Sequence, residues 1–514
     1  MKPISILNDV LGPVMRGPGS HTAGAYHLAA LARSLLGAEP AEAEIVFDPD
    51  GSFGRAYQEQ AADRAFTMGL LAIPLTDERF AQALEIARKE KTTIRFVTEK
   101  LPEANHPGSV RMRLKSRDGQ EVTVFGNSIG GGQVEIYLLE GWPVSLAGAA
   151  HEVLVETEEA AEGEIERQIR SDRFTLGEPR LERRGGRTLI GARRTGSLPE
   201  SLADDLRKHP QVHRLWQARP LMFAKRGQPA FADAAEMIQV CRKRSLSAGK
   251  LGAWYEAQMF GISEEEVVVE MVRRFEIMFG SVEEGLRGRG SMQLLHSSAH
   301  KIMAADRADR LPAGGLHTRA AARAMAAMHV NCSMGVVCAA PAAGSAGVLP
   351  GVTATLLLER QVSKRAIADA LFAAGLIGMI VAQRATFAAE EAGCQAEIGA
   401  AGAMAAAAVV EAAGGTAQQA ADAAAVCLQN TMGSVCDHVQ GIPEIPCHTR
   451  NAIAASSAFV VADLILGGYE NPIPLDETID AVYAAGKMMP CELRATSLGG
   501  LAATPSALKL RRLR

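Results

Sequence analysis

The stretch from Glu391 to Asn451 constrains the chain most, because it sets three of its four cysteines in two kinds of sequence. Cys394 precedes an alanine-rich run, whereas Cys436 and Cys447 stand among glycines and prolines. Irregular backbone of the second kind holds side chains and amides at fixed points. Three thiolates presented in this way suit an iron–sulfur cluster, because soft sulfur ligands favour iron–sulfur, zinc and copper(I). With only three such ligands, one iron would stay free for a substrate.

Spacing alone leaves a second interpretation open. A free cysteine often acts as a small buried hydrophobe, and the chain has no closely spaced cysteine pair of the kind that zinc sites use. Cys332, Cys338 and Cys427 lie in apolar, alanine-rich sequence and are predicted to be core residues. Cys241 and Cys491 lie away from the candidate ligands.

Several motifs carry a family resemblance. GCQAEIG, VCDHVQG, IPCHTRNA and SLGGLA resemble the C-terminal part of the alpha domain of iron–sulfur L-serine dehydratases (L-serine ammonia-lyases), as do VCAAPAAGSAGVLPG and LIGMIVA. GPVMRGPGSHTAGA, GSFGRAY and SIGGGQ resemble the beta domain of the same family, so the chain resembles a fusion of the two domains. In that family three cysteines hold a [4Fe–4S] cluster, which implies Cys394, Cys436 and Cys447 as its ligands here.

Length and pattern predict a multidomain fold. A chain of 514 residues exceeds one typical hydrophobic core. Residues 1–148 are predicted to form an α/β domain that resembles the beta domain. Residues 149–225 are predicted to form a small α+β domain whose order of elements resembles an ACT-type regulatory domain. Residues 226–514 are predicted to form an all-α catalytic domain that resembles the alpha domain and carries the cysteines.

Local patterns predict individual helices within these domains. Helices are expected over Ala23–Leu36 and Arg55–Met68, and a helix over Gly399–Val410 that is apolar on every side is expected to be buried. The uncharged run Val330–Leu358 is interrupted by prolines, so it predicts a buried helix–loop–helix rather than a membrane span.

Composition excludes some partners and compartments. The chain is 47% hydrophobic and 22% charged with a net charge of −4, which gives no electrostatic reason to expect nucleic acid or an anionic membrane as a partner. The N-terminal sequence has no secretory signal pattern, and eight cysteines are too few for a disulfide scaffold. A cytoplasmic protein is therefore expected, and a homodimer is the default assembly for a soluble enzyme.

The resemblance implies a lyase. Such an enzyme eliminates water from a 2-amino-3-hydroxy acid, and hydrolysis of the enamine and imine then gives a ketoacid and ammonia, here pyruvate from L-serine. The free iron acts as a Lewis acid on the substrate hydroxyl, and a base removes the α proton. The cofactor implied is the [4Fe–4S] cluster, no pyridoxal phosphate is expected, and the activity would belong to amino-acid metabolism and gluconeogenesis.

His21, in PGSHTAGA, is the candidate catalytic residue, because the pKa of histidine lies closest to neutrality. Its neighbours Ser20 and Thr22 could donate hydrogen bonds to a substrate carboxylate. The alternative is an N-cap, in which Ser20 or Thr22 starts the helix at Ala23 and His21 is merely exposed.

Two further segments are candidate substrate-binding elements. Gly344 and Ser345, in PAAGSAG, could present backbone amides to an anionic group; close helix packing through small residues is the alternative. Arg450 and Asn451 could pair with a carboxylate or support the cluster; an ordinary charged helix start is the alternative. His438 and His448 could tune the cluster or could be exposed loop residues.

The chain departs from the family pattern at residues that could meet the substrate. The GPSSSHT loop is one residue shorter here and has Gly19, Gln60 replaces a histidine, Ala342 replaces a threonine, and His438 replaces the proline of CDP. A changed hydrogen-bonding shell changes substrate discrimination. Two alternatives to an L-serine dehydratase therefore remain: a related lyase for another β-substituted amino or hydroxy acid, such as a cysteine desulfhydrase, or a non-catalytic sensor of amino acids or redox state.

Overall fold

The computed structural model describes residues 3–513, apart from the side chains of Ser20 and Arg55. It contains an N-terminal region of mixed helices and strands, a small unit with its own sheet, and a helical C-terminal region. This confirms the predicted coarse architecture of an α/β region followed by a helical one.

The N-terminal region is built on a six-stranded sheet in the order β3-β2-β4-β5-β6-β7. The pair β2–β3 is parallel and the other neighbouring pairs are antiparallel. The helix α1 packs against both the sheet and α3. The elements are β1 (Val14–Arg16), α1 (Ser20–Leu36), β2 (Pro40–Phe47), α2 (Ser52–Ala56), α3 (Ala62–Leu70), α4 (Ala83–Lys89), β3 (Thr93–Thr98), β4 (Ser109–Ser116), β5 (Glu121–Ser128), β6 (Val134–Leu139) and β7 (Trp142–Leu146).

The start of α1 and the loop before α3 differ from the sequence prediction. The helix α1 begins at Ser20 rather than Ala23. The helix predicted over Arg55–Met68 is wrong, because α2 and α3 are separated by a turn in which Ala61 is left-handed, with φ of 53°. The Thr22 hydroxyl donates a hydrogen bond of 2.6 Å to the Gln60 carbonyl, so this turn is tied to the first turn of α1.

The second unit follows the order β-α-β-β-α-β. Its strands form an antiparallel sheet in the order β11-β8-β10-β9, the split β-α-β arrangement. Val153, Val155 and Ile190 pack against the two helices, whereas Leu154 and Leu189 face the N-terminal region, as alternation along strands requires. The elements are β8 (His151–Glu158), α5 (Glu162–Ser171), β9 (Thr175–Arg184), β10 (Arg187–Arg194), α6 (Glu200–Lys208) and β11 (Val212–Ala218).

The C-terminal region is helical, but the prediction that it is all-α needs one correction. Its strand β12 pairs with β1 of the N-terminal region in an antiparallel two-stranded sheet, with Val14 opposite Cys338. The elements are α7 (Ala234–Arg244), α8 (Ala248–Phe260), α9 (Glu264–Leu286), α10 (Ala299–Arg307), α11 (Gly315–Cys332), β12 (Val336–Cys338), α12 (Val348–Arg360), α13 (Lys364–Arg384), α14 (Ala389–Ala392), α15 (Ile398–Ala412), α16 (Ala417–Thr431), α17 (Cys447–Leu466), α18 (Leu475–Met488) and α19 (Pro505–Lys509).

The helix α15 lies at the centre of this region. All its residues from Ile398 to Val410 are buried, which confirms the prediction for the apolar run. It contacts α12, α13, α16 and α17. Since most of its side chains are alanine, the neighbouring helices approach closely. Cys447, the first residue of α17, lies near enough to Glu397, directly before α15, to be affected by its charge.

The start of the chain packs into the helical region. Ile4, Ile6, Leu7, Val10 and Leu11 belong to its hydrophobic core. The buried carboxylate of Glu256 accepts hydrogen bonds from the Ser5 hydroxyl at 2.5 Å and from the amides of Ile6 and Leu7 at 2.9 and 2.8 Å. The N-terminal segment therefore links the two larger regions at a second place besides the β1–β12 sheet.

Among residues 3–513, two helices are long and apolar enough to cross a membrane, judged by length and composition alone. Within the most apolar window of α13, 78% of the residues are buried, and the corresponding value for α17 is 50%. Both helices pack against other helices of the same region. The run Val330–Leu358 forms the end of α11, β12, a short turn and α12, so no continuous helix crosses it.

The contact between α9 and α11 gives a test of the packing. A Cβ added at Gly285 would lie 1.9 Å from the Ala326 carbonyl oxygen, whereas one added at Gly280 of the same helix has no atom within 4 Å. Gly285→Ala is expected to lower the free energy of unfolding by about 1 to 3 kcal/mol, because the two helices must separate. Gly280→Ala is expected to raise it by up to about 1 kcal/mol. Chemical denaturation of both variants measures this, and equal effects would contradict the close helix contact.

Candidate active site

The structure brings the three predicted ligand cysteines together. Cys394 begins a short 3₁₀ turn directly after Gly393, whose φ is 75°. The Cys436 amide donates a hydrogen bond of 2.8 Å to the Leu493 carbonyl, which holds the second cysteine against the segment before SLGGLA. Cys447 is the first residue of α17. All three side chains are buried.

The three thiols lie close enough to influence one another's pKa. Burial raises the pKa of Cys394 to about 11 and raises the pKa values of Cys436 and Cys447 well above the ordinary value. Cys394 and Cys447 add to the rise in the pKa of Cys436, and Cys394 adds to that of Cys447. Without a bound cation the thiols are therefore protonated at neutral pH. A metal that binds them must displace these protons, as thiolate ligands require.

An ion pair links the segments that carry the cysteines. Arg450, on the first turn of α17, lies 3.0 Å from the carboxylate of Asp437 and donates a 2.7 Å hydrogen bond to the Val435 carbonyl. The same guanidinium interacts with Cys394 and lowers its pKa. The other oxygen of Asp437 accepts a 2.8 Å hydrogen bond from the Leu501 amide, which brings SLGGLA to the cysteines.

The donor set fits a cluster better than a single ion. Within residues 3–513, no group of three or more His, Cys, Asp or Glu side chains is arranged to hold one metal ion. In an iron–sulfur cluster each cysteine binds a different iron, so the sulfur atoms stand farther apart than around one ion. Three buried thiols that influence one another, with a guanidinium beside them, offer a donor set of the kind that such a cluster uses.

Asn451 joins the PAAGSAG loop to α17. Its amide nitrogen donates 2.9 Å hydrogen bonds to the carbonyls of Gly344 and Cys447, and its oxygen accepts a 3.1 Å hydrogen bond from the Gly347 amide. The hydroxyl of Ser345 lies 3.2 Å from the Ala342 carbonyl. The polar groups of Asn451 and Ser345 are thus engaged within the protein, which is the arrangement expected of residues that position the loop. Their proposed contact with substrate stays a prediction.

His21 is buried at the start of α1. Its Nε2 lies 2.7 Å from the Ser52 hydroxyl and 3.8 Å from the Glu390 carboxylate, and its ring meets Phe53 edge to face at 4.9 Å. The alternative of an exposed His21 beside an N-cap is therefore wrong, since only 8% of the residue is exposed. Burial lowers the pKa of His21 below 6.5, and the nearby carboxylate of Glu390 opposes this shift.

A cavity of about 530 Å³ lies between the N-terminal region and the cysteine-bearing loop. Ser52 and His106 line one wall, and Glu390, His438 and Arg494 line the other. His438 connects this cavity to the cysteines, because its Nδ1 lies 3.6 Å from the Cys436 sulfur. A small polar molecule in this cavity would meet groups of both charges next to the cysteines.

The remaining predicted residues lie around these groups. Thr22 is buried and its hydroxyl is bound to the Gln60 carbonyl, so it supports the loop. The side chain of Ser20 lies outside the described residues. His438 and His448 are both buried, so the alternative that they are exposed loop residues is wrong. Of the four positions that depart from the family pattern, His438 lines the cavity, and Gly19 and Gln60 pack against each other.

Sequence reasoning missed several residues of the site. Ser52 lies in the motif GSFGRAY, which by itself indicates no role for this serine. Glu390 directly precedes the stretch Glu391–Asn451. His106 stands in a loop without any motif and reaches Glu391 at 3.1 Å only through the fold. Arg494 donates a 3.1 Å hydrogen bond to the Glu391 carbonyl, but its sequence context gives no signal. Of these residues, only the acidic pair Glu390 and Glu391, shortly before Cys394, could have been recognised in the sequence as part of the site.

Comparison with known proteins places the chain in a family. The family model described as serine dehydratase alpha chain matches residues 150–502. The chain belongs to the serine dehydratase alpha chain family. The predicted resemblance is thus confirmed.

Individual members of the serine dehydratase family align well with this chain. The probable L-serine dehydratase alpha chain of Bacillus subtilis is 39% identical over 281 residues, which cover 54% of this chain and 94% of the relative. The corresponding protein of Latilactobacillus sakei is 47% identical over 188 residues, 37% of this chain and 90% of the relative. The L-serine dehydratase alpha chain of Peptoniphilus asaccharolyticus is 35% identical over 281 residues, 54% of this chain and 96% of the relative.

Asn451 provides a test of the site's framework. Asn451→Asp replaces two buried hydrogen-bond donors by a carboxylate that faces two carbonyl oxygens, so we expect the free energy of unfolding to fall by about 2 to 4 kcal/mol. Asn430→Asp is the matched control, because Asn430 is exposed and bonds only the Val426 carbonyl. Denaturation curves of the two variants measure the difference. Equal, small effects would show that Asn451 does not hold the loop.

Proposed function

We propose that this protein is an iron–sulfur L-serine ammonia-lyase that converts L-serine to pyruvate and ammonia. The observation that carries the proposal is the convergence of Cys394, Cys436 and Cys447 beside a polar cavity. The names of the relatives, which are L-serine dehydratase alpha chains, support the reaction. The three cysteines would hold a [4Fe–4S] cluster, which when bound supplies a Lewis acid for the substrate hydroxyl.

Arg494 is proposed to bind the substrate carboxylate. It lines the cavity, and its buried Nε has no hydrogen-bond partner among the described residues. A carboxylate can accept the unused donor, and such a charge-assisted bond orients the substrate. The carboxylate of Glu390 on the same wall would attract the substrate ammonium group. These two charges fix the direction in which a small amino acid lies in the cavity.

His21 is proposed as the base that removes the α proton. An imidazole must be unprotonated before it can act as a general base, and burial keeps this imidazole unprotonated by lowering its pKa. The imidazolium that forms is stabilised by Glu390 at 3.8 Å. The Ser52 hydroxyl at 2.7 Å holds the ring in place. His106 and His438, which lie nearby, disfavour a second positive charge in the same space.

Two finer assignments belong to the proposal. The β-α-β-β-α-β unit of residues 151–218 is taken as an ACT-like regulatory domain on the basis of its strand order. The protein is taken as a cytoplasmic homodimer, with Ile453, Val460 and Leu464 on the exposed face of α17 as its apolar contact; these residues are 68%, 46% and 49% exposed.

His438 favours one alternative function. It lines the cavity where the family pattern has proline, so the substrate shell differs at that position. A related lyase that acts on L-cysteine or another β-substituted amino acid would use the same cysteines and His21. A screen for ammonia release by the anaerobically purified protein distinguishes the two, because L-serine must be the best substrate if the main proposal is correct.

The cluster assignment is tested by removing one thiol. Cys436→Ala is expected to lose most of the bound iron and the formation of pyruvate from L-serine, because one cluster ligand is missing. Cys427→Ala is the control, since Cys427 is buried in the core and its pKa is raised by burial alone. Iron content and activity are measured after anaerobic reconstitution. Retention of both in Cys436→Ala would refute the assignment.

The role of His21 predicts a pH profile. Because a base acts in its neutral form, kcat/KM should fall only below the pKa of His21, which burial holds under 6.5. The Glu390 carboxylate raises this pKa, so Glu390→Gln is expected to move the acid limb to lower pH. Profiles between about pH 5 and 8 measure the shift. The exposed Glu492→Gln should leave the limb in place; a limb that stays or rises in Glu390→Gln would contradict the role of His21.

A further inference from the structure

A groove of about 500 Å³ runs along α17, between that helix and the helices α15 and α16. Arg450 from the first turn of α17 and Leu464 from its last turn both line the groove, so it follows most of the helix. Cys394, one of the three candidate cluster ligands, lines it as well. The groove shares none of its described lining residues with the candidate active-site cavity. The cysteines are therefore approached from two sides, by the substrate cavity and by this groove.

The exposed face of α17 beside the groove is apolar. Ile453, Val460 and Leu464 are exposed along it, and the partly exposed Ser457 lies among them. Residues three and four positions apart form one stripe along a helix. Scattered apolar residues are normal on a protein surface, whereas a continuous apolar stripe beside a groove is typical of a surface that another molecule covers.

The stripe is complementary to a second copy of itself. Ile453, Ser457, Val460 and Leu464 follow one another at intervals of four, three and four residues, which is the same spacing in both directions. Two antiparallel copies of α17 related by a twofold axis would therefore place Ile453 opposite Leu464 and Ser457 opposite Val460. The small side chain of Ser457 allows the two helices to approach closely. A contact of this kind, formed by the same patch on both subunits, is the usual one in homodimers.

The charges at the two ends of this face favour the same arrangement. Arg450 at the start of α17 has 27% of its side chain exposed, whereas Asp463 near the end of the helix and Glu470 just after it are exposed. Antiparallel packing brings the basic end of one helix to the acidic end of the other. A lipid bilayer fits less well, because helices that lie on membranes carry Lys and Arg beside their apolar face.

We infer that a second copy of this chain packs antiparallel along α17 and closes the groove over Cys394. Apolar side chains of each copy would fill the groove of the other, so that solvent reaches the cluster from the substrate cavity alone. The inference rests on the cluster and the homodimer of the proposed function, and it adds what the contact does there. The apolar shell around a metal centre controls the access of solvent to it. Retention of iron would therefore depend on association of the two copies.

Sedimentation velocity of the full-length protein tests the association. At protomer concentrations of about 1 to 10 µM the unaltered protein is expected to be a dimer and Val460→Asp a monomer, because the variant buries two carboxylates near the twofold axis. Val269→Asp is the matched control and should stay dimeric, since Val269 is 60% exposed on α9 and does not line the groove. A monomeric unaltered protein, or a dimer that survives Val460→Asp, would overturn the inference. The measurement needs no cluster, so a failure of L-serine turnover leaves it unaffected.

A disulfide between the copies locates the contact without weakening it. The double variant Ser457→Cys/Val460→Cys is expected to form a covalent dimer on mild oxidation, visible by electrophoresis without reductant, because the two positions face each other across the axis. The unaltered protein, in which Cys491 is exposed, and Val269→Cys should not form it. If the double variant forms no more covalent dimer than these controls, the copies do not meet along α17 and the inference is wrong.

Release of iron tests whether the contact closes the groove over Cys394. After anaerobic reconstitution, Val460→Asp is expected to lose iron to the chelator ferrozine about tenfold faster than the unaltered protein and Val269→Asp. Equal rates in a monomeric Val460→Asp would show that the second copy does not cover the cluster. Binding of the unaltered protein to phosphatidylcholine vesicles, lost in Val460→Asp, would assign the face to a bilayer and overturn the inference.

Discussion

The ion pair between Asp437 and Arg450 is the interaction on which the geometry of the site depends. Arg450 stands one turn after Cys447, and Asp437 stands next to Cys436. The pair therefore fixes two of the three cysteines relative to each other, and the guanidinium also acts on Cys394. Buried ion pairs of this kind add little net stability but are costly to break. Their contribution here is to hold three separate backbone segments in one arrangement.

The candidate active site is built from residues of both larger regions of the chain. The cysteines come from the helical region, whereas His21 and Ser52 come from the N-terminal region. The β1–β12 sheet and the bonds from Glu256 to residues 5–7 hold the two regions together. Because these links lie within one chain, a single chain holds His21, Ser52 and the three cysteines in one structure.

The amino-acid sequence was sufficient to predict those features that follow from a motif or from a local pattern of residues. The three candidate ligand cysteines were identified by resemblance to the family, because their spacing alone left them undecided, whereas the buried α15 could be predicted from its apolar pattern. The neighbours of His21 could not, because Glu390 and His106 reach the site through contacts between distant segments. The break between α2 and α3 was also not predicted. It depends on the left-handed backbone of Ala61, and alanine is not a residue type that indicates a turn.

Burial excludes one of the two interpretations that the sequence left open for His438 and His448. His438 and His448 flank cysteines in a loop-like sequence, which usually indicates exposure, yet both are enclosed by the helical region and by the segment that follows α18. The Ser497 hydroxyl donates a hydrogen bond of 2.8 Å to the His438 carbonyl, so SLGGLA covers this loop. Ser497 lies 59 positions after His438, so this coverage depends on tertiary structure and cannot be predicted from neighbouring residues.

The central claim is that three cysteines of this chain hold one cluster and leave one iron without a protein thiolate. Mössbauer spectroscopy of the protein reconstituted anaerobically with ⁵⁷Fe tests it most directly, with spectra recorded before and after addition of L-serine. The account predicts that about a quarter of the iron forms a distinct subsite whose signal alone changes with L-serine. Four equivalent irons that do not respond to L-serine, or no cluster signal at all, would contradict it.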